Sequence, residues 1–204
     1  KVSIPVIGQN KMNDPACSAA AVEKGWCDLV ALGHGLLADP EWVNKVHNGH
    51  SDTIRPCIGC NECFLAICSG QNFRCTVNPY VSHEEDPHFQ VPKAEHPGKV
   101  LVIGGGPAGI SAAVLSAQAG HQVELWEKSQ ELGGNLNAAG APSFKKDLMS
   151  YRDYLLRCLE ISGVTVCLGQ EATVERVKES GAEQVIYAAG ATARILNVPG
   201  VDQP

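Results

Sequence analysis

The chain has 204 residues, 44% of them hydrophobic and only 5% aromatic, with a formal net charge of -6. That length accommodates one or two domains with cores of their own, and the aliphatic bias suits an Ala/Gly/Val-rich α/β protein. The acidic balance and the absence of a basic tract argue against nucleic acid or an anionic membrane as partner, and no apolar run approaches the roughly 20 residues that cross a bilayer.

Residues 2–7 form a β-branched run that reads as a strand, followed by Gly8 and Gln9-Asn10-Lys11. Asp14 as N-cap and Pro15 at the first helical position then start a helix that extends to Gly25. Residues 27–32 read as a second strand ending in Gly33-His34-Gly35, and Asp39 with Pro40 starts another helix by the same chemistry. Strand and helix repeated in this order predict parallel β/α units. In an eight-stranded β/α barrel the last two such loops commonly bind phosphate through backbone amides. Lys11 and His34 would add charge-assisted bonds there, or else remain solvated loop residues. The chain opens at Lys1 inside a predicted strand and has its first methionine at Met12, so it reads as a piece of something longer. With Cys17, Cys27, Cys158 and Cys167 scattered singly and nothing resembling a signal peptide, a reducing cytoplasm is the expected compartment.

Residues 55–79 hold five of the nine cysteines. Cys57, Cys60 and Cys63 sit at two-residue intervals, and Cys75 follows after eleven intervening residues. Three thiolates in a tight loop, with Gly59 free to bend it, can face one centre while a distant fourth closes it, which predicts a 4Fe-4S site. A structural zinc site would more often show two separated Cys-x-x-Cys knuckles. Cys68 lies between the third and fourth candidates; it either replaces one of them or is a small buried apolar residue.

Residues 81–98 are polar and proline-bearing and read as a linker, with His83, His88 and His96 as solvated side chains. From Lys99 the character changes. A buried-strand run over residues 100–103 leads into Gly104-Gly105-Gly106-Pro107-Ala108-Gly109 and an Ala-rich helix that reaches Gly120. A further strand over residues 122–126 ends at Glu127. Glycine fingerprint, flanking elements and terminal acid together predict a Rossmann-type dinucleotide site. Gly104 permits the tight turn, Gly106 lets backbone approach a pyrophosphate, Gly109 lets helix and strand pack closely, and Glu127 would accept from the ribose hydroxyls. Gly133-Gly134 forms a second glycine turn that either approaches the same dinucleotide or is a plain loop. Residues 144–161 read as an amphipathic helix with Phe144, Leu148, Tyr151, Leu155, Cys158 and Leu159 near one face. Residues 164–168 and 184–188 read as two more strands, the latter running into Ala189-Gly190-Ala191.

This order of motifs resembles the multidomain old yellow enzyme relatives, which include 2,4-dienoyl-CoA reductase, enoate reductases and trimethylamine dehydrogenase. The residues that carry the likeness are Gly33-His34-Gly35, Leu37-Ala38-Asp39-Pro40, Cys-Ile-Gly-Cys-Asn-Glu-Cys, Arg-Cys-Thr-Val-Asn-Pro and the glycine fingerprint. The resemblance implies an α/β chain made of the C-terminal end of a (β/α)8 FMN barrel over residues 1–50 and an iron-sulfur segment over 51–80. A linker over 81–98 and an incomplete Rossmann-like FAD/NAD(P)-binding domain over 99–204 would follow. It implies Cys57, Cys60, Cys63 and Cys75 as cluster ligands, with Cys68 spare. It further implies Asn10, Lys11, Gly33 and His34 at the FMN phosphate, and Gly104, Gly106, Gly109, Glu127 and Gly134 at the adenine dinucleotide. Lys11 and His34 stand where the family has arginine, and Ala189 where it has threonine.

The implied function is an oxidoreductase passing electrons from NAD(P)H through FAD and a 4Fe-4S cluster to FMN, which reduces an activated C=C bond. Amine dehydrogenation on the same fold and a non-catalytic zinc-bound dinucleotide module are the alternatives. No residue here reads as a catalytic acid or base, so the chain alone is expected to be inactive. The expected partners are small-molecule substrate, nucleotide cofactors, and the barrel and nicotinamide regions of the parent chain.

Overall fold

The computed structural model describes residues 2–192 and Val198. Lys1, where the first predicted strand opens, and residues 193–197 and 199–204 of the last predicted domain lie outside the described residues. The architecture is mixed α/β with two parallel sheets.

The smaller sheet pairs β1 (Ile7–Gly8) with β2 (Leu29–Val30), in register Ile7 to Leu29 and Gly8 to Val30. Both strands are shorter than the β-branched runs predict. Pro5 has no amide to donate, and the Val6 amide donates to the Asp28 carboxylate at 2.7 Å instead of entering a ladder. Between the strands lies α1 (Pro15–Glu23), where Asp14 Oδ1 accepts from the Ala16 amide as an N-cap should.

After β2 come α2 (His34–Ala38) and α3 (Trp42–His47). Here Asp39 is not the N-cap that its Asp-Pro pair predicts: it closes α2, and Glu41 takes the N-cap position of α3 without a side-chain cap bond. Its buried carboxylate is drawn into tertiary bonds, accepting from the amides of Glu41 and Arg55 and from Lys45 Nζ at 2.6 Å. It thereby ties the first two β/α units to the start of the cysteine segment.

The larger sheet has the order β5-β4-β3-β6, built from β3 (Lys99–Ile103), β4 (Gln122–Glu127), β5 (Thr165–Leu168) and β6 (Gln184–Tyr187), all parallel. The crossover from β3 to β4 is α5 (Pro107–Ala119), which Gly120 ends in the left-handed conformation. The return from β4 to β5 uses α6 (Asn135–Gly140) and α7 (Lys146–Glu160); α8 (Val174–Glu179) leads to β6. Val100, Val102, Val123 and Leu125 of the central strands pack with Ile110 and Ala113 of α5 and with Leu155 and Leu159 of α7 to form the core. Phe144, predicted on the packed face of α7, lies in a separate 3-10 turn (Ser143–Lys145) and is 82% exposed. The helical face begins only after that turn.

The predicted linker is held against the larger sheet's layer: the Ala94 amide donates to the Ala119 carbonyl and Lys93 Nζ to that of Gln118. His83, His88 and His96 are exposed, and the His83 ring stacks on Phe89 at 4.1 Å. No helix among the described residues is long and apolar enough to cross a membrane.

Candidate functional site

Three cavities meet the residues picked out by sequence, and two of them adjoin. The first, of about 780 Å³, opens at the C-terminal ends of β1 and β2. Its lining includes Asn10, Lys11, Gly33 and His34, so these four are brought together. Asn10 and Lys11 both have positive φ, +72° and +57°, a left-handed pair that non-glycine residues seldom adopt. The Lys11 side chain is exposed, but its ammonium is not free: Nζ sits 2.8 Å from Asp147 Oδ2 in the first turn of α7.

Cys57, Gly59 and Asn61 complete that cavity, and Cys57, Asn61 and His34 also line the second one. Around the second cavity stand Cys57, Cys60, Cys63 and Cys75, the four predicted ligands. Two left-handed residues turn the loop, Gly59 at φ +66° and Asn61 at φ +58°, and Asn61 is the N-cap residue of α4 (Glu62–Cys68), a short helix absent from the sequence-based expectation although Asn61 and Glu62 are start signals. Cys63 therefore enters from the first turn of α4, and Cys75 from the return segment. Asn78, buried, donates to the Leu37 carbonyl at 2.9 Å and fixes that segment against α2.

Cys68 lies at the far end of α4 and is exposed, which corrects the expectation of a buried apolar residue; it does not line the cavity. Burial pushes the Cys57 thiol up; the Gly59 amide opposes this, and the neighbouring Cys75, Cys60 and Cys63 add to it. Among the described residues no three His, Cys, Asp or Glu side chains converge to hold a single ion. The thiols instead surround a space. The Cys60 sulfur lies 3.1 Å from the Thr76 hydroxyl, a neighbour that its place beside Cys75 in sequence does not reveal.

The third cavity, of about 200 Å³, lies at the C-terminal ends of β3, β4 and β6, lined by Gly104, Glu127, Lys128, Tyr187 and Ala189 among others. Gly104 has φ +108°, and a Cβ there would overlap the Ala188 carbonyl oxygen. The second glycine turn does approach the first: the Gly133 amide donates to the Gly105 carbonyl at 2.8 Å, and a Cβ on Gly134 would come within 3.0 Å of Gly106 Cα. Asn135 Nδ2 donates to the Ala191 carbonyl, which brings the Gly190 turn to the same place. Backbone from three strand ends thus converges at the N-terminus of α5, an anion-favouring position.

Glu127 supports this turn directly. Its Oε2 accepts from the Gly105 amide at 2.7 Å and its Oε1 from the Ser129 amide at 2.8 Å. Burial pushes the carboxyl up, but the Ser129 and Gly105 amides outweigh it and hold the group below the usual glutamate range. A depressed folded value means stabilisation that is complete above the unfolded value, about 4.3, and is lost as pH falls through the folded one. Thermal melts between pH 6 and pH 3 should therefore show Glu127→Gln losing less stability on acidification than the parent chain. An unchanged acid slope would refute the assignment.

The two halves meet along α7. Arg55, two residues before Cys57, donates from Nε to Tyr154 Oη at 3.2 Å, with its guanidinium over the rings of Tyr154 and Tyr80. Burial pushes the Tyr154 phenol up to about 12, so it is neutral at physiological pH. Arg157 pairs with Asp52 at 2.7 Å. No sequence spacing signals these partners, because each pair joins segments far apart in the chain.

Residues 99–190 match the family described as FAD dependent oxidoreductase. Cinnamate reductase of Clostridium sporogenes is 38% identical over 203 residues, covering 99% of this chain and 30% of that protein. NADH oxidase of Thermoanaerobacter brockii is 39% identical over 204 residues, covering 99% of this chain and 31% of that protein. Among solved structures, a 2-naphthoyl-CoA reductase complex superimposes with a TM-score of 0.94 at 30% identity, over 99% of this chain and 31% of that one. The chain thus spans about 30% of the length of the curated relatives it matches.

Proposed function

The chain belongs to the multidomain flavin oxidoreductases related to old yellow enzyme, and from that premise we propose that it carries the cofactor relay of an NAD(P)H-dependent reductase. When bound, FAD, a 4Fe-4S cluster and FMN would supply hydride acceptance, single-electron transfer, and hydride delivery to the activated C=C bond of an enoate or enoyl/dienoyl-CoA. The observation that carries this reading is the shared wall of two cavities: Cys57 faces both the ring of thiols and the larger space at the ends of β1 and β2.

Cys57, Cys60, Cys63 and Cys75 would hold the cluster, because three cysteines at two-residue intervals with a distant fourth is close to the spacing of a 4Fe-4S site, whereas structural zinc more often uses two separated Cys-x-x-Cys knuckles. Asn10, Lys11, Gly33 and His34 would hold the FMN phosphate at the mouth of a barrel whose last two β/α units lie within residues 1–50. Over residues 99–204, Gly104 would make the tight turn, Gly106 and Gly134 would bring backbone to the FAD pyrophosphate, and Gly109 would let α5 pack closely on β3. Glu127 has lone pairs to spare beyond its two amide bonds, and these would accept from the adenosine ribose. Residues 51–80 would be the cluster segment and 81–98 the ordered linker, in a cytoplasmic protein. No side chain among the described residues is assigned as an acid or base in this reading, so turnover would require the substrate-binding part of the whole protein.

The test is to purify the chain without oxygen and measure iron, acid-labile sulfide, zinc and flavin, with visible spectra before and after dithionite. About four irons and four sulfides with bleachable absorbance are expected. Stoichiometric zinc without sulfide would overturn the relay. Oxidation of amines by the whole protein, without reduction of enoates or enoyl-CoA, would transfer the reading to an amine dehydrogenase.

A further inference from the structure

We propose that Asp147 is a positioning residue for the cavity at the ends of β1 and β2, where it competes with a bound phosphate monoester for the Lys11 ammonium and so couples anion binding to the docking of α7. The inference rests on the reading of that cavity as a flavin phosphate site.

Lys11 lines the cavity, yet its ammonium is committed to a carboxylate 136 residues away in sequence. The pair sits over the cysteine loop: a Cβ built on Gly59 would lie 3.6 Å from both Lys11 Nζ and Asp147 Oδ2. One contact therefore joins the strand-end loop, the thiol loop and the first turn of α7. Asp147 is well placed for this, since a carboxylate in the first turn of a helix is favoured by the helix dipole. The Asn10-Lys11 left-handed pair needs external restraint to persist, and the Asp147 bond supplies one from outside the loop.

An arriving phosphate would find Lys11 Nζ within reach but already neutralised. The ammonium has three donors, so the competition is for its charge: each bond to the phosphate weakens the hold of Lys11 on Asp147 and loosens α7 from the loop. The side chains of Lys11 and Asp147 are 71% and 34% exposed, so the competition is one of modest size. Pairs of this kind contribute about 0.2–1 kcal/mol, which corresponds to a change in affinity of up to about fivefold.

The experiment titrates riboflavin 5′-phosphate and riboflavin against the full chain, Asp147→Asn and Asp153→Asn, with flavin fluorescence as readout. Amide hydrogen exchange over α7 is followed in parallel. Asp153 lies on the same helix but pairs with Arg152, so its variant controls for net charge. Asp147→Asn is expected to bind the phosphorylated flavin about two- to fivefold tighter, with riboflavin affinity and Asp153→Asn unchanged. Adding the phosphorylated flavin should also speed exchange in the first turn of α7 in the parent chain and not in Asp147→Asn. Equal affinities in all three chains, or an equal gain in Asp153→Asn, would overturn the coupling and leave the phosphate site standing. Failure of the parent to prefer the phosphorylated flavin would overturn the phosphate site and the coupling with it.

Discussion

Serine at Cys63 is expected to strip the chain of iron and sulfide, whereas serine at Cys68 is expected to leave both in place. Cys63 lines the thiol cavity from the first turn of α4, held by a helix whose Ala66 is buried. A serine hydroxyl there is a harder and far less acidic donor than a thiol and reaches less far, so one iron loses its soft ligand. Cys68 follows five positions later on the same helix. At 3.6 residues per turn it points about 140° away from Cys63, and it is exposed. Iron and acid-labile sulfide in chains purified without oxygen should fall from about four each to below about one in Cys63→Ser and stay near four in Cys68→Ser. Because cluster binding and folding are linked, Cys63→Ser should also melt at lower temperature. Loss of iron in Cys68→Ser with retention in Cys63→Ser would reverse the ligand assignment.

The second large effect separates two glycines of one fingerprint. In Gly109→Ala the new Cβ would overlap the Gly104 carbonyl oxygen, and backbone cannot swing aside as a side chain does. Either α5 lifts from β3, opening the layer that holds Ile110 and Ala113, or the Gly104 turn deforms. Overpacking of this kind costs about 3 kcal/mol. For a chain of this size the melting temperature should drop by roughly 6–12 °C. Gly106 presents the opposite case. Its φ is -81°, and the nearest atom to an added Cβ is Gly134 Cα at 3.9 Å, so alanine fits without strain. On the proposed FAD site, a methyl group at that point would stand where backbone approaches the pyrophosphate. Gly106→Ala should keep its melting temperature and lose bound FAD, as read by thermal melts and released flavin. FAD retained at parental level in Gly106→Ala, or an unchanged melt in Gly109→Ala, would show that the two roles are wrongly divided.

Both effects were legible in the sequence as positions, and only the fold shows which atoms enforce them. The glycine fingerprint, the strand before it and the acid at the end of the next strand are local chemistry, since a tight turn into a helix needs glycine wherever the chain is placed. The larger sheet and the α1 start at Asp14-Pro15 follow from the same short-range rules, and β3 to β6 fall where the apolar runs put them. The family likeness read from the motifs is borne out along the whole chain, because motif order is a property of sequence.

Where local rules failed, a distant group had outcompeted them. The first strand shrank because Asp28 took the Val6 amide, and Asp39, whose Oδ1 still accepts from the Glu41 amide, gives its other oxygen to Lys45 and Arg55 and closes α2 instead of opening α3. Phe144 looked like the start of a packed helical face but belongs to a separate turn, since periodicity does not show where a 3-10 turn gives way to an α-helix. The sequence by itself determined which residues are proposed to hold iron, phosphate and dinucleotide, because residue type and spacing are what single them out. Tertiary structure alone decided that Cys57 faces two cavities at once, that Cys68 faces neither, and that Asp147 claims Lys11. Such contacts depend on how separate segments close upon one another, and a one-dimensional pattern carries no record of that.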